Sequence, residues 1–261
     1  MTTKTKTDLA AELSELGLRW TADNLDDLVA LATKNRWGPL QVLQHVAERE
    51  LDDKRRRSLE RRLARSKIGR FRPMADFDWK WPKKIDRKLV ESALQLEFLD
   101  NARNVVLVAA QGLGKTMIAK GIAHAAAHAG HTVCFVTASD LLLDLAAQDS
   151  ARALDRRLKY WASIKLLVLD ELGYLSYDAR NADLLFQVIS RRYENKSVVL
   201  TTNLAFRDWP SIFPNAASTT ALIDRIVHHA DVIAIEGDSY RRRDAERTTR
   251  SRRKKPPEDP D

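Results

Sequence analysis

Hydrophobic positions change their period once along this chain. Up to residue 72 they recur at helical spacing: Leu25, Leu28, Val29 and Ala32 share one face, and Leu40, Leu43, Ala47 and Leu51 share another after the break at Gly38-Pro39. This predicts a small all-helical domain over residues 1–72. From Asn104 the pattern becomes short, apolar, β-branched runs at 105–108, 132–137, 166–169, 198–201 and 232–235, separated by helical stretches. Strands buried on both faces and alternating with helices predict an α/β fold built on a parallel five-stranded sheet, over residues 104–240. Residues 73–103, which hold Pro73 and Pro82, read as a linker and the first helix of this second domain. Residues 241–261 carry nine basic and five acidic residues with three prolines and nothing apolar enough to fold alone, so a basic disordered tail is expected.

Composition sharpens this picture in two respects. With 44% hydrophobic and 31% charged residues in 261, the chain can fill two cores, and neither whole-chain disorder nor a fibrous repeat fits. The net charge of +8 points to a polyanionic partner. The excess is concentrated at 54–72, where ten basic residues face Glu60 alone, a local balance of +9. Within it Arg57, Arg61 and Arg65 recur every four residues and line one side of a helix, and Lys67 and Arg70 follow. The longest run without Asp, Glu, Lys or Arg, at 121–139, holds three histidines and Gly130, so no membrane span is expected. The first 18 residues carry Lys4, Lys6, Asp8, Glu12 and Glu15 where a signal peptide needs an apolar stretch. Cys134 is the single cysteine and cannot form an internal disulfide. A cytoplasmic protein is the expectation.

The chemistry begins at Ala109-Ala110-Gln111-Gly112-Leu113-Gly114-Lys115-Thr116, between the first strand of the sheet and a helix, with Met117 next on that helix. This is a P-loop. Its glycines let backbone N–H groups close around phosphate oxygens, the helix offers its positive end, and Lys115 and Thr116 reach the β/γ-phosphates and Mg²⁺. The strict motif has glycine where this chain has Ala109, which predicts a slightly altered loop. Downstream, Leu166-Leu167-Val168-Leu169-Asp170-Glu171 is an apolar strand ending in two carboxylates. That arrangement places Asp170 near Mg²⁺ and Glu171 beside an attacking water. After the next strand, Thr201-Thr202-Asn203 ends on the same sheet edge, where Asn203 would orient the lytic water.

Together with Leu222-Ile223-Asp224-Arg225-Ile226 and Glu236-Gly237-Asp238-Ser239-Tyr240-Arg241, these motifs resemble the IstB-like transposition helper ATPases, relatives of the DnaC helicase loaders in the AAA+ superfamily. The likeness covers residues 9–242, including the Phe77-x-Trp79 linker, and departs from the family at Ala109, Ala110 and Gln111. It implies an ATP- and Mg²⁺-dependent ATPase that oligomerises on double-stranded DNA and presents target DNA to a transposase of the same mobile element. Lys115, Thr116, Asp170, Glu171 and Asn203 take the matching nucleotide roles. Arg225 falls at the family's arginine-finger position, which implies hydrolysis at the junction of neighbouring subunits. Two alternatives share nearly every one of these residues: a replicative helicase loader, and an architectural DNA binder in which ATP is a clamp that is never hydrolysed.

Between the second and third strands of the sheet a further helix carries Leu154, Leu158 and Trp161 on one face and Arg152, Arg156 and Lys159 on the other. Initiator and loader ATPases are similar in carrying an extra helix there that faces nucleic acid. With the 54–72 segment and the tail, this helix predicts sequence-tolerant, salt-sensitive DNA binding. His124, His128, His131 and Cys134 cluster in sequence, but position 125 is Ala where a zinc protease needs Glu, and no metal site is expected there. Phe77, Trp79 and Trp81, interleaved with lysines, read as a linker packed on the ATPase core near the adenine rather than as a base-stacking strip.

Overall fold

In the computed structural model, residues 6–174, 177–214, 216–240 and 243 are described. The expected tail at 241–261 therefore lies outside the described residues, except for Arg243. The chain divides into two compact units between Arg61 and Arg62, ahead of the expected boundary at 72. No helix among the described residues is long and apolar enough to cross a membrane.

The first unit is helical: α1 (Lys6–Glu15), α2 (Arg19–Asp23), α3 (Leu25–Lys34) and the greater part of α4 (Pro39–Arg65). Its packing corrects the expected faces. Leu28 is buried, but Leu40, Leu43 and Leu51 are 68%, 65% and 51% exposed, and Val29 is exposed as well. Polar and aromatic anchors fix the rotation of α4 instead. Glu50 accepts hydrogen bonds from the Thr21 N–H and hydroxyl at 2.7 and 2.8 Å. The Trp20 and Trp37 rings close on His45, with centroids at 5.9 and 4.9 Å. A leucine count cannot register bonds of this kind, which decide which stripe turns inward.

The second unit is the expected α/β sheet. Five parallel strands, β2 (Asn104–Ala109), β3 (Val133–Thr137), β4 (Leu166–Leu172), β5 (Ser197–Thr202) and β6 (Ala230–Glu236), are joined at one edge by a two-residue antiparallel strand, β1 (Lys84–Ile85). The order is β1-β6-β2-β5-β4-β3. Strand periodicity explains the two cores: Val106, Leu167, Leu169, Val198 and Leu200 belong to one apolar cluster, and Val105, Leu107, Leu166, Val168 and Val199 to the other. The first cluster also takes in residues of α7 (Ala138–Ala146), α8 (Ala151–Ser163), α9 (Ala179–Arg192) and α10 (Ala216–Val227). The second takes in α5 (Arg87–Gln95) and α6 (Lys115–His128).

Neither neighbour of β2 in the sheet, β5 on one side and β6 on the other, is its neighbour in sequence. The carboxyl end of β2 therefore lies at a topological switch point, where open α/β sheets form a crevice for ligands.

Candidate nucleotide site

The loop that leaves β2 at this point carries the P-loop. Gly112 and Gly114 hold φ values of +80° and +93°, which a side chain disfavours, and both are glycine. Ala109 is the last residue of β2 and is absent from the positive-φ positions, as are Ala110 and Gln111. The departures from the strict motif thus fall where a Cβ costs no backbone strain. Lys115, the first residue of α6, is buried, and its ammonium donates to the carbonyls of Ala109 and Ala110 at 2.6 and 2.9 Å. Those bonds bend its side chain back over the loop.

Asp170 and Glu171 meet the loop from β4. Adjacent strand residues ordinarily point to opposite faces. Here the register between β4 and β5 shifts between Leu169 and Leu172, and Glu171 has a φ of +64°. This is a β-bulge, and a non-glycine residue in such a conformation carries about 1–2 kcal/mol of backbone strain. Asp170 is buried, and its carboxylate accepts from the Thr116 hydroxyl at 3.2–3.3 Å. Glu171 is exposed and lines the same cavity as Thr116 and Lys115. The Thr201 hydroxyl donates to Asp170 Oδ1 at 2.5 Å and accepts from the Glu171 N–H at 3.0 Å. Asn203, just beyond β5, has a buried Oδ1 that makes no hydrogen bond.

The cavity holds about 330 Å³, enough for a nucleotide-sized ligand, and is walled on the other side by residues of the linker and the C-terminal segment. Phe77 and Trp81 come from the linker and Tyr240 from beyond β6. Trp81 Nε1 donates to the Asp238 carbonyl at 2.8 Å, and the Tyr240 N–H donates to the Gly112 carbonyl at 2.9 Å. The guanidinium of Arg243 stacks over Trp81 at 4.3 Å. Phe77, Trp79 and Trp81 thus pack on this unit, as expected of a linker laid on the α/β core. Tyr240, Thr201 and Arg72 also line the cavity. The sequence assigns Tyr240 and Thr201 no role here and counts Arg72 with the basic 54–72 segment, since each reaches the site only through tertiary contact.

Two oxygen donors, Thr116 Oγ1 and the Asp170 carboxylate, lie within 3.3 Å of each other. Neighbouring vertices of a magnesium octahedron are about 2.9 Å apart, so these hard ligands fit Mg²⁺.

The remaining candidates lie elsewhere. Arg225, on α10, stacks over Phe186 at 4.6 Å and donates to the Ala221 carbonyl at 3.2 Å, and it does not line the cavity. Arg61, Arg65, Lys67 and Arg70 are exposed. Lys67 and Arg70 lie in a segment held on the edge of β3 by the Phe135 N–H, which donates to the Ser66 carbonyl at 2.7 Å. Arg57 differs from Arg61 and Arg65 on the same side of the helix in being half-buried. Its guanidinium pairs with the buried Asp53 carboxylate at 2.6 Å and is 24% exposed, because an acid four residues earlier on the same helix captures it. On α8, Leu158 and Trp161 are buried while Arg152, Arg156 and Lys159 are exposed, Lys159 being paired with Asp155 at 2.8 Å. His124 packs against Phe71 and His128, and burial, then the neighbouring His128, pushes its pKa down. Burial pushes the Cys134 thiol up.

A P-loop at the switch point of a five-stranded parallel sheet, with a strand-end Asp-Glu pair beside it, defines a P-loop nucleotide-binding protein. Within that class the chain belongs to the IstB-like ATP-binding proteins, whose family profile matches residues 11–248. It is 32% identical over 236 residues to a candidate ATP-binding protein of insertion sequence IS232 from Bacillus thuringiensis subsp. berliner, over 90% of this chain and 94% of that one. It is equally 32% identical over 234 residues to the corresponding protein of IS21 from Pseudomonas aeruginosa, over 90% of this chain and 88% of the other. Among solved structures it resembles DnaI, with a TM-score of 0.51 and 20% identity over 64% of this chain and 92% of that one. It also resembles the replication initiator DnaA bound to AMPPCP and single-stranded DNA, with a TM-score of 0.51 and 16% identity over 67% of this chain and 56% of that one. At such identities the structural likeness shows the fold alone.

Proposed function

We propose that this protein hydrolyses ATP with Mg²⁺ and uses the nucleotide cycle to assemble on double-stranded DNA and present it to a transposase of its own mobile element. The observation that carries the hydrolytic reading is the bulge at 170–171, which brings the Asp170 carboxylate to the Thr116 hydroxyl while Glu171 lines the cavity beside the P-loop. A protein that only clamps ATP has no use for the strained second carboxylate.

The roles follow from position. Lys115 exchanges its two loop carbonyls for β/γ-phosphate oxygens, and the N–H groups of the loop and of the α6 N-terminus surround the phosphates. Thr116 and Asp170 would hold Mg²⁺, which would supply positive charge to offset the charge that develops on the phosphates. Glu171 orients the attacking water and takes its proton, and Asn203, just beyond β5 and outside the residues that line the cavity, is the candidate for a second hydrogen bond to that water. Arg225 serves a neighbouring subunit in trans, in keeping with its place on α10 outside its own cavity.

DNA is held through its phosphates by Arg61, Arg65, Lys67 and Arg70, and by Arg152, Arg156 and Lys159 of α8. The transposase partnership is supported by the insertion-sequence names of the relatives. Sedimentation velocity with duplex DNA and a non-hydrolysable ATP analogue tests assembly. Large complexes that need both ligands support the reading, and a sedimentation coefficient that neither ligand changes contradicts it.

A further inference from the structure

We infer that Thr201 is a positioning residue that sets both carboxylates of the site at once, acting through Asp170 and Glu171 rather than on the nucleotide. The inference rests on the hydrolytic reading above. A bulge relieves the ladder of one regular pairing, and the freed N–H group must be satisfied elsewhere. At Glu171 that partner is the Thr201 hydroxyl of the adjacent strand, at 3.0 Å. An ionised carboxylate only accepts hydrogen bonds, so the single proton of the same hydroxyl is donated to Asp170 Oδ1, at 2.5 Å. Thr201 is fully buried, and its donor and one acceptor site are both used.

One hydroxyl group therefore ties the candidate magnesium ligand to the backbone of the candidate base. It aims the Asp170 oxygens at Thr116 and holds Glu171 in the left-handed conformation that turns its side chain toward the cavity. Removing the hydroxyl frees both groups together, although neither is altered. A threonine that merely filled its place in β5 would be replaced without loss by any side chain of its shape.

Valine keeps the shape of threonine and drops the hydroxyl, whereas serine keeps the hydroxyl and drops the methyl. Thr201→Val is expected to lower kcat for ATP hydrolysis about 10–100-fold, with KM for ATP changed less than about 3-fold. By calorimetry it should bind ATP without magnesium as the wild type does, and lose most of the gain in affinity that added Mg²⁺ gives. Thr201→Ser should retain both the rate and the magnesium-dependent gain. Should the valine chain fail to fold, Thr201→Cys, whose thiol is a weak donor, reads the same loss. Wild-type kcat and magnesium response in T201V, or a T201S chain as slow as T201V, would overturn the assignment while leaving the hydrolytic reading standing. A wild-type chain that binds ATP but releases no phosphate would overturn both.

Discussion

The ring of Phe77 occupies the space that a side chain at position 114 would need: a Cβ built on Gly114 would lie 2.7 Å from Phe77 Cε2. The linker and the P-loop are therefore fitted to each other, and two independent constraints hold glycine there, since its φ is +93° as well. Gly114→Ala should strain the backbone by about 1–2 kcal/mol and displace the ring, lowering ATP affinity about tenfold or more by titration calorimetry. Combining it with Phe77→Ala relieves the collision alone, so the double variant should recover part of the loss and no more.

The pairing of Arg57 with Asp53 separates the basic residues of α4 into two kinds. Arg61→Ala and Arg65→Ala should each lower the slope of log affinity against log salt for duplex binding by about 1, the signature of one lost phosphate contact. Arg57→Ala should leave that slope unchanged and lower the melting temperature instead, because it strips a partner from a buried carboxylate. A slope change in R57A equal to that in R61A would show that Arg57 reaches DNA after all.

Asp144 accepts from Arg157 Nε at 2.5 Å and from the indole N–H of buried Trp161 at 2.7 Å. Burial alone would raise its pKa, but the bonds from Arg157 and Trp161 outweigh it and hold the carboxyl below its ordinary value. A carboxyl with a depressed folded-state pKa adds stability above the unfolded value near 4, and that stability is lost as pH falls through the folded value. Asp144→Ala should cost about 1–2 kcal/mol at pH 7, discounted for partial exposure. Urea titrations at pH 7 and pH 3 should show the gap from wild type narrowing in acid.

Arg192 stands at the opposite end of the sheet from the nucleotide site. Its buried guanidinium donates to the carbonyls of Trp161, Ile164 and Ser197 at 2.6–2.8 Å, tying the end of α8 to the starts of β4 and β5. Arg192→Met leaves those carbonyls without this donor and should cost about 3–5 kcal/mol in urea denaturation. Arg192→Lys keeps the charge but not the planar fork, and should fall between methionine and wild type.

The parts of this molecule legible in its sequence are those written locally. The P-loop, the apolar strand ending at Asp170-Glu171 and the alternation of strands and helices each depend on neighbours along the chain, and the structure contains each of them. What depends on register between strands was hidden. Nothing in Thr201-Thr202 announces that the first hydroxyl closes a bulge on β4, nor does Glu171 announce its left-handed backbone. The two-residue β1 is too short to leave a pattern, and Tyr240 reaches the cavity only because the chain turns back over Gly112. On α4 the error ran the other way. Spacing alone puts the exposed leucines on one apolar face, while the bonds of Thr21 to Glu50 and the rings around His45 decide the rotation. The capture of Arg57 by Asp53 was visible as an i,i+4 pair and was masked by the size of the charge cluster.

Single-turnover phosphate release from bound ATP, in the wild type and in Glu171→Gln with binding measured in parallel, bears most directly on the hydrolytic site. The glutamine chain should bind ATP within a few-fold of wild type and hydrolyse it about 100-fold more slowly or worse, since it has lost the group that takes the proton. Equal rates in the two chains, or a wild type that fails to bind ATP, would contradict the reading of this cavity as a hydrolytic centre.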